Sequence, residues 1–331
     1  MQTDYTPSSK LILAYPERYY NEYDALTHFY DELINLLPND FQIWIISNNN
    51  QTIQKLKEKY DYKKIDFLGI KGWDEIWLRD CIGIQNHNYV IKPEYFPKYC
   101  KKDSLYKNYF QNLNRLSRII IKEILGKEII EVPLVLDGGN FINNDKYALM
   151  TNKILFDNGI FRQKEIEKII TDTTGLQPIF IERNKYDNIG HIDAYVSFID
   201  NETVLIPNYP SFPFLKDDID FINNLEKQLT ELGLKIIKME ERPVDEIGIC
   251  SCQCNNKNHC VYSARGNYIN FLRLNNLIVL PEFNLPTKKE TNYYNQTNGD
   301  KLEELGFEVR RINCDSLAKH GGLLHCISYV V

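Results

Sequence analysis

The chain has 331 residues, 43% hydrophobic and 25% charged, a composition that suits a globular protein with a sizeable core. Its formal net charge of -6 excludes a general binder of nucleic-acid backbones, which needs clustered excess Lys and Arg, and suits a small or cationic substrate. Eight cysteines in this length are too sparse for a disulfide scaffold and read as thiols in a reducing compartment.

The opening MQTDYTPSSKLILAYP carries no basic stretch followed by an apolar core and a small-residue cleavage site, so no signal peptide is expected. The most apolar run, SRIIIKEILGKEIIEVPLVL (117–136), holds too many charges to cross a bilayer, which predicts a cytoplasmic protein with no membrane partner. In chain order, LILAYP (11–16) reads as a strand, YNEYDALTHFYDELINLL (20–37) as an amphipathic helix and FQIWIIS (41–47) as a second strand. TIQKLKEKYD (52–61) and IDFLGI (65–70) extend this first copy by a helix and a strand. The same plan recurs from YVIKPEYFP (89–97), YALMTNKIL (147–155), TVLIPNYP (203–210) and NLIVLPEFN (276–284). Each leads through a helix closed by glycine into a β-branched strand: KEIIEVP, QPIFIE, LKIIKME and FEVRRINC. No Pro/Gly/Ser-rich linker separates the copies, so residues 1–331 read as one domain of five α/β units.

An ordinary doubly wound sheet shows the same periodicity. Favouring a ring of equivalent units is a compact polar motif beside each copy: DEIWLRD (74–80), LDGGN (136–140), GHID (190–193), NYINF (267–271) and GGLLHC (321–326). Five units closed about an axis bring five such motifs to one site. Cys326, after two glycines and His325 on an expected final strand, suits a nucleophile that needs backbone room. His191 and Asp193, two apart on an expected strand, share one face and read as an acid/base with a carboxylate beside it. Asp80 follows Arg79, with a local ion pair as the bland alternative, and Asp137 reads equally as a turn residue. Carboxylates crowded round a thiol raise its pKa, and a cationic guest lowers it again. A guanidinium fits, because its planar fork of N–H donors matches carboxylates.

These motifs, with LIVLPEF (277–283), resemble the agmatine deiminase and Porphyromonas-type peptidylarginine deiminase family of the guanidino-group-modifying superfamily. The resemblance runs from AYP to the chain's end and implies a five-unit α/β propeller (pentein) with pseudo-fivefold symmetry, its site on the central axis, and no metal or organic cofactor. It implies Cys326 as nucleophile, His191 as the acid/base and Asp80 and Asp193 as the guanidinium-gripping carboxylates. Trp77, Asp137, Asn140, Asn270 and Gly322 are implied as lining the substrate, with Asp137 standing where the family usually has Glu and supporting the histidine. The implied reaction is thiolate attack, loss of ammonia, a covalent thiouronium and hydrolysis to a ureido product, with agmatine as the leading substrate. Departures fall at Asp137, at His320 in place of a glycine, at Ser197 in place of a frequent arginine, and in RDCIG, which lacks the family's proline.

Other readings stay open at this stage: action on free arginine or peptidylarginine, an amidinotransferase that passes the amidino group to an amine, a non-catalytic propeller module, and a Cys-His peptidase. The peptidase needs a thiolate that neighbouring carboxylates oppose. Within the Cys-rich loop 249–262, Cys250, Cys252, Cys254 and Cys260, with His259 nearby, either hold Zn²⁺ or form a plain thiol-rich loop. The chain's 22 tyrosines leave a homo-oligomer open.

Overall fold

Apolar strands followed by one-sided helices have two faces to cover, and this chain covers both. A computed structural model describes residues 1–17, 23–99, 104–184, 187–244 and 263–331, so the Cys-rich loop and its zinc question lie outside the described residues. Among them the strands are β1 (Lys10–Ala14), β2 (Gln42–Ser47), β3 (Ile65–Gly69), β4 (Ile84–Gln85), β5 (Tyr89–Glu94), β6 (Glu128–Val135), β7 (Ile142–Asn143) and β8 (Tyr147–Thr151). They continue as β9 (Gln177–Ile181), β10 (Ser197–Phe198), β11 (Thr203–Asn208), β12 (Lys235–Glu240), β13 (Leu272–Leu274), β14 (Leu277–Glu282), β15 (Glu308–Asn313) and β16 (Ser328–Val330). The helices are α1 (Tyr23–Leu36), α2 (Asn50–Lys59), α3 (Leu78–Ile82), α4 (Ser104–Ile119), α5 (Lys153–Asp157), α6 (Gln163–Thr174), α7 (Lys216–Glu231), α8 (Lys288–Glu304), α9 (Asp315–Ala318) and α10 (Leu324–Ile327). No helix among the described residues is long and apolar enough to cross a membrane.

The strands form five separate sheets on one plan. A short strand runs antiparallel to a central strand, and a helical crossover returns the chain to an outer strand parallel to the centre: β4-β5-β6, β7-β8-β9, β10-β11-β12 and β13-β14-β15. The first sheet, β16-β1-β2-β3, takes its short strand from the end of the chain, with Leu11, Ile12 and Leu13 opposite Val330, Tyr329 and Ser328. The short strands escape sequence reading because two or three residues carry no period.

Central strands β8, β11 and β14 are buried almost throughout, as strands covered on both faces should be. Pro93, Pro207 and Pro281 sit near the ends of β5, β11 and β14, beyond the reach of the short strand, so their missing N–H breaks no ladder bond on that edge. Apolar clusters join consecutive sheets: Ile12 and Ile46 with Val90 and Leu113, Ile91 and Leu134 with Met150 and Ile166, Leu149 and Ile181 with Val204 and Leu225. The largest cluster carries the fifth sheet back onto the first, through Ile278 and Leu280 with Leu11, Leu13 and Ile45.

Two expectations are corrected. GHID is not a strand: Gly190 has φ +70°, which breaks the extended run, and His191 leads a 3₁₀ turn over Ile192–Ala194. His325 and Cys326 likewise sit on the single turn α10, ahead of the final strand rather than on it. Each polar motif is thus a tight turn or bend that delivers the chain into a short strand.

Leu13 is fully buried at the centre of the first sheet. Leu13→Ala is expected to destabilise the fold by about 2–5 kcal/mol, measured by denaturant unfolding.

Candidate active site

Asp80, on α3, accepts a hydrogen bond from the Gly139 N–H at 2.9 Å, and its Oδ1 lies 3.5 Å from His191 Nδ1. Across the imidazole, His191 Nε2 meets Asp137 Oδ2 at 2.9 Å. Burial opposes a charged imidazole, but the carboxylates of Asp80 and Asp137 outweigh it and raise His191 to about 9. His191 is therefore an imidazolium at neutral pH. Asp80 moves up to about 6 because burial, reinforced by the negative charges of Asp137 and Asp193, exceeds the pull of His191. For Asp137 burial also raises the pKa, yet Lys153 and His191 prevail and hold it below the usual carboxylate range.

Lys153 starts α5 and is itself buried. Its Nζ donates to Asp137 Oδ2 at 2.6 Å and to Asp157 Oδ2, one helical turn on, at 2.5 Å. The Tyr99 ring lies under this ammonium, 5.6 Å from its centroid, and edge-on to His191 at 6.3 Å.

The thiol faces these groups from the other side. Cys326 Sγ lies 3.4 Å from Asn270 Oδ1 and 3.7 Å from Asp193 Oδ2. The same Asn270 oxygen accepts from the backbone N–H groups of His325 at 3.2 Å and Cys326 at 3.4 Å, while its Nδ2 donates to Asp193 O at 3.3 Å. One amide side chain so fixes the start of α10 against the turn that carries Asp193. His325 Nδ1 pairs with Asp193 Oδ2 at 2.9 Å. Burial, with Asp193 and Asp80 adding to it, pushes the Cys326 thiol well above its ordinary value, so the sulfur is protonated in the free protein.

Gly139 marks where the motifs converge. A Cβ there would stand 2.8 Å from Asp80 Oδ1, 2.9 Å from His191 Nδ1 and 3.0 Å from Asp193 Oδ2, so three polar groups from two other motifs meet where a side chain is absent. Gly322 has a similar reason: its Cβ would lie 2.5 Å from the Trp77 ring, which packs flush on this backbone.

Of the residues singled out from sequence, Cys326, Asp193 and Asn270 form one side of the site and Asp80, His191 and Asp137 the other, with Trp77 against Gly322. The buried amide of Asn140 accepts from Thr151 N at 2.9 Å and Thr151 Oγ1 at 3.0 Å, tying the LDGGN turn to β8. The local Arg79–Asp80 pair is corrected, because Arg79 Nη2 instead reaches Asp4 Oδ1 at 3.4 Å. Lys153, Tyr99, His325 and Asp4 were missed; the Lys153 to Asp157 spacing on one helix was the legible signal for the first.

This grouping accompanies a full-length family match that makes the chain an enzyme, a hydrolase acting on guanidino carbon–nitrogen bonds. It belongs to the Porphyromonas-type peptidyl-arginine deiminase family, whose model matches residues 1–331. Among solved structures it is similar to C. jejuni agmatine deiminase with substrate bound, at 16% identity and a TM-score of 0.78, covering 99% of this chain and 95% of that one. Agmatine deiminase of Enterococcus faecalis gives 17% identity and a TM-score of 0.77 over 100% of this chain and 94% of that one. A dimethylarginine dimethylaminohydrolase is more distant, at 11% identity and a TM-score of 0.55 over 98% of this chain and 100% of that one. At these identities the likeness shows the fold. No curated protein matches the sequence.

Gly139→Ala is expected to lower kcat/KM by about 10²-fold or more, since contacts of 2.8–3.0 Å force Asp80, His191 and Asp193 apart, while circular dichroism stays that of the native fold.

Proposed function

We propose that the protein is a cysteine-dependent agmatine deiminase, converting agmatine and water to N-carbamoylputrescine and ammonia. The observation that carries this reading is a thiol 3.7 Å from Asp193 Oδ2, with Asp193, Asp80 and His191 gathered around the space that a side chain on Gly139 would fill. Two carboxylates beside a sulfur oppose a thiolate until a cation arrives. A guanidinium held between Asp80 and Asp193 supplies that cation and places its central carbon near the sulfur. The five sheets, packed in succession with the fifth on the first, further support a pseudo-fivefold propeller whose axis passes through this site.

In the proposed course the Cys326 S–H gives up its proton to the medium as the guanidinium docks, and Sγ forms a bond to the guanidino carbon. His191 delivers its proton to an amino nitrogen of the tetrahedral adduct. The C–N bond breaks, ammonia leaves, and an S-alkylthiouronium remains. Neutral His191 then takes a proton from water as the hydroxide attacks that carbon. The C–S bond breaks with its electron pair going to sulfur, the adduct's O–H proton passes to the departing thiolate, and the Cys326 thiol and the neutral ureido product result. Asp137, kept anionic by Lys153, supports the imidazolium throughout.

Agmatine is favoured over arginine because the cations around the thiol, Lys153, His325 and Arg79, already pair with carboxylates of the protein. A substrate carboxylate finds no counter-charge among them. Incubation with agmatine, free arginine and an arginyl peptide tests the reading: ammonia and ureido product should form from agmatine without added amine, and not with Cys326→Ser. Folded protein that turns over none of the three would overturn it, and turnover only with an amine acceptor would mean amidino transfer.

The pH profile carries a second prediction. Asp80 must be ionised to hold the guanidinium and His191 protonated to release ammonia, so kcat/KM should rise through about pH 6 and fall past about pH 9. Stopped assays across pH 5–10 (roughly the range in which such groups titrate) would check both limbs.

A further inference from the structure

The residues that immediately precede Asp80 and Cys326 are both cationic in character, Arg79 on α3 and His325 on α10. One carboxylate meets the two of them. Asp4 Oδ1 lies 3.4 Å from Arg79 Nη2, and Asp4 Oδ2 lies 3.3 Å from His325 Nε2. The far nitrogen of His325 then grips Asp193 Oδ2 at 2.9 Å, and that oxygen is the one 3.7 Å from Cys326 Sγ. An unbroken line of polar contacts thus runs from the N-terminal segment to the reacting sulfur.

The segment is built to present this carboxylate. Gln2 N donates to Gln85 O of β4 at 3.0 Å, Thr3 N to Thr6 Oγ1 at 2.9 Å, and the Tyr5 hydroxyl to Asn201 Oδ1 at 2.5 Å, which anchors the chain on both sides of Asp4. Asp4, Arg79, Arg273 and His325 line one cavity beneath the short strands. Burial raises the Asp4 pKa, but His325 and Arg79 outweigh it and keep the carboxyl ionised.

Resting on the deiminase reading above, we infer that Asp4 is a positioning residue for the reaction: by pairing with both Arg79 and His325 it ties α3 to α10 from behind and sets where Asp80 and Asp193 stand relative to the thiol. Displacements of about 1 Å at such groups change rates by as much as about 10²-fold. Asp4 touches no substrate in this arrangement. It acts through the two residues next to the reacting ones.

The test uses the full-length chain with Asp4→Ala and Asp4→Asn, read in two ways beside wild type. The first is steady-state turnover of agmatine, where Asp4→Ala should lose about 10-fold or more in kcat/KM, with Asp4→Asn between it and wild type because it keeps an acceptor. The second is the rate of Cys326 labelling by 2-chloroacetamidine relative to neutral iodoacetamide. Mispositioned carboxylates lower that ratio, whereas a general loss of stability lowers the melting temperature and leaves it unmoved. Variants with wild-type turnover and ratio would overturn the inference, and so would a lower melting temperature with an unchanged ratio. Wild-type protein with no turnover speaks against the deiminase reading instead, and the labelling ratio still decides for or against the clamp.

Discussion

Three aspartates buried around one imidazole, two of them acting on the thiol, are the constraint on which this molecule turns. Asp80, Asp137 and Asp193 are all nearly inaccessible, and two like charges about 4 Å apart repel by roughly 4 kcal/mol even at a protein's effective dielectric. They persist because cations are threaded between them: His191 between Asp80 and Asp137, Lys153 between Asp137 and Asp157, and His325 between Asp193 and Asp4. Around Gly139, Asp80 Oδ1 and Asp193 Oδ2 face the same space, with the His191 ring beside them. In the reaction proposed above, a guanidinium docked there completes the alternation, so that recognition and activation of the sulfur rest on the same charges.

The fold meets this constraint with turns rather than with long elements. Four of the five polar motifs place their functional side chains on one helical turn that feeds a short strand, and the short strand is fixed by antiparallel pairing to a fully covered centre. Positions set this way inherit the rigidity of the sheets. Because β16 pairs with β1, Cys326 reaches its place only when the end of the chain has found its beginning. Asp4, Asp80, Asp193 and Cys326 meet through contacts of long sequence separation, so no local fragment holds the site by itself.

Central and outer strands were legible because five apolar runs ending in proline or polar turns repeat with a helix between, and periodicity is a local property. That Cys326, His191, Asp80 and Asp193 come together was legible from motifs that recur beside successive repeats. What stayed hidden depends on turns and on pairing across the fold. Reading GHID as a strand ignored that Gly190 takes a positive φ, and reading Arg79 with Asp80 ignored that neighbours on a helical turn diverge. Lys153 looked like the polar end of a strand; its spacing to Asp157 hints at a helical pair, but its burial against Asp137 depends on the fold. Asp4 and His325 gain meaning only from each other, 321 positions apart in number.

The exchange of the family's usual glutamate for Asp137 shows how far such pairing can absorb a sequence departure. A carboxylate shorter by one methylene would be expected to fall short of the histidine. Here it does not: Asp137 Oδ2 makes a 2.9 Å bond to His191 Nε2 and a 2.6 Å bond to Lys153 Nζ with the same oxygen, while Oδ1 stays buried without a hydrogen-bond partner. An unmet buried acceptor costs about 1–3 kcal/mol. The strong contact to a buried ammonium offsets that cost and holds the oxygen in line with the imidazole. The function of the longer side chain, an anion fixed against the acid/base, is thus kept by a lysine on α5 and not by reach. The departure at Asp137 thus leaves the carboxylate against the imidazole and shifts part of its support onto Lys153.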